Sequence, residues 1–186
     1  MIEVEQRSFI TKKQYDNLTK ELKDKGIKFE ETNQITYYFK GDIDFRIQFT
    51  NTYTKLWLKT GNIHDDAREE VEVFINNENR DNLLKLLKCL GYEIEIKWFR
   101  KRLLGNYQDI TLTLDYTAGY GYIIELEKLI TDEFKIEETK VKLLNMFKDL
   151  NVKVSDKKEF KDKYEDYKIN WDKYTKDTDE HKFLTE

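Results

Sequence analysis

One short alternation constrains this chain more than any other feature, because it comes back three times. Glu3-Val4-Glu5, Glu70-Val71-Glu72 and Glu125-Leu126-Glu127 each set two acids on either side of an apolar residue, and each precedes an amphipathic helix. A β-strand sends successive side chains to opposite faces, so each triplet puts two carboxylates on one face and an apolar side chain on the other. Glu93 and Glu95 repeat the spacing once more, after a helix rather than before one.

Between these triplets the chain reads as strands with few helices. Thr11 is a plausible N-cap for a helix carrying Tyr15, Leu18 and Leu22, and Gly26 suits the left-handed residue that ends it. A strand through Ile27 to Phe29 follows. Then come a strand from Gln34 to Phe39, strands from Asp44 to Thr50 and Thr54 to Thr60, a loop over 61–66, and a strand from Arg68 to Ile75. Leu83, Leu84, Leu86, Leu87 and Leu90 mark a second helix closed by Gly91. A long strand from Tyr92 to Leu103 turns at Gly105-Asn106 into Ile110 to Tyr116. Ala118-Gly119 then leads into Gly121 to Lys128. A third helix spans about Asp132 to Leu150, with Phe134, Val141, Leu144, Met146, Phe147 and Leu150 as its apolar positions. Strands in meanders with short turns imply an antiparallel sheet or closed barrel with helices packed outside, an α+β fold.

The charge pattern makes the choice between open and closed consequential. Same-face positions collect Glu3, Glu5 and Arg7; Arg46 and Gln48; Lys55, Trp57 and Lys59; Arg68, Glu70 and Glu72; Arg100 and Arg102; Thr111, Thr113 and Asp115; and Glu125 and Glu127. The opposite faces carry Ile2, Val4, Phe45, Ile47, Phe49, Leu56, Leu58, Val71, Val73, Leu112, Leu114, Ile124 and Leu126, which the three helices are expected to cover. In an open sheet the charged faces are a solvated surface. In a closed barrel they line a wet, charged interior. Burying unpaired ions costs several kcal/mol each, so such a lining calls for bound counter-charges. A divalent cation with a polyphosphate supplies both signs. Charged residues make up 38% of the chain, well above the usual quarter or so, yet 33 bases nearly balance 37 acids, which excludes a nonspecific nucleic-acid coat. Cys89 stands alone, so no intramolecular disulfide forms. Met1 leads directly into a charged strand without a signal peptide, and no apolar run reaches membrane-spanning length, so a cytoplasmic protein is expected.

Glu3-Val4-Glu5-Gln6-Arg7 resembles the ExExK signature of the CYTH superfamily, the triphosphate tunnel metalloenzymes. The resemblance continues in order through Gln34 to Phe39, Phe45-Arg46-Ile47-Gln48, Leu56 to Gly61, Arg68 to Glu72, Lys97 to Arg102, Leu114 to Gly121 and Tyr122 to Glu127. It implies an eight-stranded antiparallel barrel forming a tunnel over residues 1–150; the remaining residues, 151–186, read by their own spacing as a C-terminal helical extension whose end, Lys176 to Glu186, is expected to be disordered. It also implies Mg2+ or Mn2+ held by Glu3, Glu5, Asp115, Glu125 and Glu127. The triphosphate is then bound by Arg7, Arg46, Lys59, Arg68, Lys97, Arg100 and Arg102. Glu5, Glu127 and Arg7 are the expected catalytic residues, with Glu70 and Glu72 pairing the bases. The implied partner is a small molecule bearing a triphosphate, whether inorganic tripolyphosphate, thiamine triphosphate, ATP or another nucleotide, or alternatively an RNA 5′ end. The implied reaction is hydrolysis, with cyclisation of ATP as in class IV adenylyl cyclases as the alternative, and non-catalytic polyphosphate binding as a third. A monomer or homodimer is expected. Two positions depart from the family pattern: Arg7 stands where lysine is usual, and Gln48 where a second arginine is common.

Other features carry less. Gly119-Tyr120-Gly121 is a turn, His64 and His181 are surface residues, and Cys89 packs in its leucine-rich helix. From Asp156 onward, Phe160, Tyr164, Tyr167, Trp171 and Tyr174 recur at helical spacing, a stripe that docks on the barrel or caps its mouth, with Lys157, Lys158 and Lys161 near enough to reach a triphosphate.

Overall fold

The alternation resolves into eight strands and five helices in a computed structural model, which describes residues 2–60 and 67–185 and the side chains of all of these except Ala67 and Arg68. The strands are β1 (Ile2–Ile10), β2 (Glu30–Phe39), β3 (Asp44–Phe49), β4 (Thr54–Lys59), β5 (Ala67–Ile75), β6 (Ile94–Tyr107), β7 (Ile110–Thr117) and β8 (Gly121–Ile130). The helices are α1 (Lys12–Asp24), α2 (Arg80–Cys89), α3 (Ile136–Asp149), α4 (Lys157–Thr175) and α5 (Glu180–Thr185). Every strand pairing is antiparallel, in the order β1-β5-β4-β3-β2-β6-β7-β8, and β8 returns to β1 to close the ring. The fold is α+β, with the tunnel inside and the helices outside.

Local chemistry explains the boundaries. Thr11 and Gln14 form a reciprocal capping box at the start of α1, the hydroxyl accepting from the Gln14 amide and the Gln14 side chain from the Thr11 amide. Gly26 and Gly91 take left-handed φ values of +86° and +88° just beyond α1 and α2. The turn after β6 is not at Gly105. That glycine lies inside the strand, where a Cβ would come within 2.9 Å of Ile27 and 3.0 Å of Phe29, so those two residues pack beneath it instead of forming a strand of their own. Gln108 and Asp109, both at positive φ, make the turn.

Three packed clusters hold the outer face. α1 and α3 lie on β1, β7 and β8, where Leu22, Leu143 and Phe147 meet Val4, Leu112, Leu114, Ile124 and Leu126. α2 and α5 cover β2 and β3 through Leu87, Phe183 and Leu184 against Ile35, Ile47 and Phe49. α4 lays its aromatic stripe on β6 and one end of the tunnel. Tyr167 is fully buried and donates to the Lys97 carbonyl at 2.9 Å, and the Trp171 indole donates to the Glu95 carbonyl at 3.0 Å. The segment entering α4 is pinned to β1, since Ser8 donates to the Lys153 carbonyl at 2.7 Å and the Phe9 amide donates to Ser155.

Three expectations change. The described helices do not cover every apolar face: Val71 and Val73 on β5 stay more than half exposed. Phe134 precedes α3 in a short 3-10 turn and is 97% exposed. Residues 180–185, expected to be disordered, form α5, because Phe183 and Leu184 find a greasy site beside Phe99 and Leu87. The His64 loop lies outside the described residues. No described helix is long and apolar enough to cross a membrane.

The α5 anchor is directly testable. Phe183→Ala should cost about 3 kcal/mol, as burial of a Phe side chain predicts, and limited proteolysis should then clip the chain between Lys176 and Glu186 at protease levels that leave the wild type intact. Equal cleavage of both proteins would show that α5 is not docked.

Candidate functional site

The closed ring turns every charged face inward. The resulting tunnel has a volume of about 570 Å³ and is lined by Glu3, Glu5, Arg7, Arg46, Lys59, Arg100, Arg102, Asp115, Glu125 and Glu127 among others. Strand register decides who meets whom. Glu5 stands directly across from Glu127, and Arg7 from Glu125, where β1 meets β8. Arg102 stands across from Asp115 where β6 meets β7, and Lys59 from Glu70 where β4 meets β5. Acids gather on β1, β7 and β8 and continue on β5 with Glu70 and Glu72, while lysines stand on β4 and arginines on β6.

Several bases are held by acids. Lys59 donates to both oxygens of Glu3 at 2.8 and 2.9 Å and lies 3.1 Å from Glu70. Lys55 bridges Glu72 at 2.7 Å and Glu70 at 3.5 Å, so Glu70 and Glu72 serve as partners for lysines. Arg102 grips Asp115 with two hydrogen bonds, 2.9 and 2.7 Å, and reaches Glu125 at 3.7 Å, while Arg100 lies 3.5 Å from Asp115. Arg7 lies 3.5 Å from Glu5, with its guanidinium over the Phe160 ring. Arg46 is clamped by Asp44 and lies over Tyr38, 4.2 Å from the ring centre.

Burial, more than any neighbouring charge, sets the protonation of the acid wall. Burial, with Glu125 and Glu5 beside it and Lys59 opposing, pushes Glu127 up from 4.5 to about 7. Burial also raises Glu125, with Glu5 adding to the effect and Arg102 working against it. Glu3 is driven to about 9 by burial, which outweighs Lys59 and is reinforced by Glu5. Glu70 goes the other way. Burial opposes its charge, but hydrogen bonding from Glu3 and the charges of Lys59 and Lys55 bring it down to about 2.

Carboxylate oxygens are the ligands that Mg2+ and Mn2+ prefer, and carboxylates that raise one another's pKa are short of positive charge, so the donor set fits a hard divalent cation. Among the described residues, however, no three acidic, His or Cys side chains converge closely enough to hold an ion as they stand. Glu3 and Asp115 are engaged by Lys59 and Arg102 and must be released first.

Lys97 departs from the expected set. Its side chain leaves β6 on the outer face, bonded to Glu180 at 2.7 Å and lying over Tyr37. Period-two alternation requires this once Arg100 and Arg102 face inward. The Arg68 side chain lies outside the described residues; its backbone pairs with Glu3. Lys157, Lys158 and Lys161 are exposed on α4 and do not line the tunnel. Tyr38, Trp98 and Tyr120 join the lining without having been named as site residues, while Phe160 and Tyr164 of the α4 stripe reach the cavity because α4 docks there. Asp44, which shares a face with Arg46 two residues on, clamps that arginine.

Comparison with known proteins agrees with this architecture. The family model described as the CYTH domain matches residues 1–160. A protein of Methanocaldococcus jannaschii named "Putative adenylate cyclase" is 31% identical over 166 residues, covering 82% of this chain and 91% of its own length. Among solved structures, a conserved hypothetical protein of Pyrococcus furiosus superposes with a TM-score of 0.71 at 23% identity, covering 82% of this chain and 94% of its own. One from Vibrio parahaemolyticus, titled a "putative adenylate cyclase", reaches 0.67 at 15% identity, covering 83% and 90%. The model match takes in the whole ring and the start of α4, and on that match and the 31% identity the chain belongs to the CYTH family.

Proposed function

We propose that the tunnel is the active site of a divalent-metal-dependent enzyme that hydrolyses a triphosphate. The observation that carries this proposal is the lining itself: buried carboxylates on β1, β7 and β8 share one cavity of about 570 Å³ with Lys59, Arg100 and Arg102. A triphosphate offers these bases an anion in exchange for their present carboxylate partners, and phosphoryl transfer depends on positioning and charge neutralisation more than on covalent chemistry.

Binding proceeds by exchange of partners. Lys59 leaves Glu3 and Arg102 leaves Asp115 to take phosphate oxygens, joined by Arg7, Arg46, Arg100 and, on the family pattern, Arg68. The freed Glu3 and Asp115, with Glu5, Glu125 and Glu127, would hold Mg2+ or Mn2+. That metal would neutralise the carboxylates and polarise the phosphoryl oxygens. Glu127, with Glu5 across from it, orients a water and takes its proton as the oxygen bonds to the terminal phosphorus. The bridging P–O bond breaks, and orthophosphate leaves. A second reading is cyclisation, in which a ribose hydroxyl attacks the α-phosphorus and pyrophosphate leaves; the names of the Methanocaldococcus and Vibrio proteins favour it.

Two measurements test these roles. Protein incubated with Mg2+ or Mn2+ and either tripolyphosphate or ATP, followed by phosphorus NMR, should release orthophosphate. Glu127→Gln and Glu5→Gln should each lower the rate by about a hundredfold or more, the scale of a lost proton acceptor. Cyclic AMP with pyrophosphate would replace hydrolysis by cyclisation, and tight binding without turnover would leave only a binding module.

The second is thermal unfolding of metal-free protein. An acid whose folded pKa lies above its unfolded value favours folding while protonated and loses that contribution as pH rises through the folded pKa. For Glu127 that window runs from 4.5 to about 7, and for Glu3 up to about 9, whereas Glu70, held at about 2, acts only below 4.5. The melting temperature should therefore fall from pH 5 to pH 8, and millimolar Mg2+ or Mn2+ should restore it at pH 8 more than at pH 5. A flat profile unaffected by metal would contradict a strained carboxylate wall.

A further inference from the structure

One wall of the tunnel is made differently from the rest. From Thr32 to Tyr38, the inward side chains of β2 carry no charge: Thr32, Gln34, Thr36 and Tyr38. Beside them on β3 stands Gln48, directly across from Thr36. In the strand order, β2 and β3 lie across the ring from β1 and β8, so this neutral wall faces the carboxylates. A lining built only to grip a polyphosphate gains from a base here, and this chain puts amides there instead.

The amides are ordered by each other. Gln48 Nε2 donates to Gln34 Oε1 at 3.1 Å and lies 3.5 Å from the Thr36 hydroxyl. Both glutamines are more than nine-tenths buried, at 5% and 7% exposed. That network leaves Gln48 Oε1 and Gln34 Nε2 without a hydrogen-bond partner among the described residues, on side chains that line the cavity. An acceptor and a donor, side by side, are what a glutamine pair can offer to a planar heterocycle with a donor beside an acceptor. Phosphate oxygens only accept, so they can satisfy Gln34 Nε2 and are repelled by Gln48 Oε1. Trp57 and Trp98 line the cavity on either side of this wall, Trp57 one strand beyond β3 and Trp98 directly across from Thr36, and they add flat apolar surface.

We infer that Gln34 and Gln48 are specificity-determining residues. They read the heterocyclic base of a nucleoside triphosphate, and they make the tunnel prefer such a substrate to inorganic tripolyphosphate. The assignment rests on the tunnel being a triphosphate site. A pocket that hydrogen-bonds a substrate group discriminates strongly against an analogue lacking it, because its own buried polar atoms are then left unpaired.

Calorimetric binding of ATP, GTP, CTP, UTP and tripolyphosphate, with Ca2+ replacing Mg2+ to hold back turnover, tests it on the wild type, Gln48→Met and Gln48→Arg. The wild type should bind at least one nucleoside triphosphate about tenfold or more tighter than tripolyphosphate, and the four bases should differ. Gln48→Met, close in volume, should cut that ratio about tenfold, and Gln48→Arg should invert it by adding a phosphate contact; Gln34→Met repeats the test should either Gln48 variant fail to fold. Tripolyphosphate bound as tightly as every nucleotide by the wild type, or a ratio unmoved in the variants, would overturn the assignment. Binding of no triphosphate at all would overturn the tunnel site itself, and this inference with it, which separates the two failures.

Discussion

Everything in this molecule depends on charges that are buried facing one another across a closed sheet. Ion pairs inside a protein lose hydration on both sides, and they hold only where the geometry supplies several contacts per charge. Here the geometry comes from strand register. Arg102 opposite Asp115 and Lys59 opposite Glu70 are backbone-determined pairs, and Lys59 reaches on to Glu3 across the seam between β5 and β1. A one-residue slip in any strand would turn its charged set out into the helices and its apolar set into the tunnel. The outer clusters therefore do more than stabilise the fold. By fixing which face of each strand is apolar, Val4, Ile47, Leu114 and Leu126 determine which side chains face inward.

Within that frame the tunnel is divided into sectors. Acids occupy β1, β5, β7 and β8, lysines sit on β4 and arginines on β6, and the inward side chains of β2 from Thr32 to Tyr38 are uncharged. The existing pairs keep much of the buried charge matched, and phosphate is able to stand in for a carboxylate opposite arginine or lysine. Burial raises Glu127 and Glu125, with neighbouring acids adding to the effect. Under the proposed function, stability and chemistry share the same side chains.

The alternating acids were legible from the sequence because a period of two needs no tertiary information. Glu3, Glu5, Glu125 and Glu127 share the interior for the same reason that Val4 and Leu126 share the exterior. The same rule, applied strictly from Arg100 and Arg102, sends Lys97 outward. The hairpin at Gln108 and Asp109 was hidden because neither is a glycine, while Gly105 attracted the turn although it serves close packing against Ile27 and Phe29. What sequence spacing could not provide was the position of α4 and α5. The aromatic stripe of α4 announced that it docks, whereas α5 was expected to be disordered; only the assembled ring gives Phe160 its place at Arg7 and Phe183 its place beside Phe99.

The pairing of β1 with β8 has a consequence in time. Glu5 meets Glu127 and Arg7 meets Glu125, partners separated by well over a hundred residues of chain, and contacts that distant form late because the intervening loop must first be organised. A chain that ends at β7 lacks Glu125 and Glu127 and leaves β1 without its β8 neighbour. The ring and its acid wall are complete only when the eighth strand is in place.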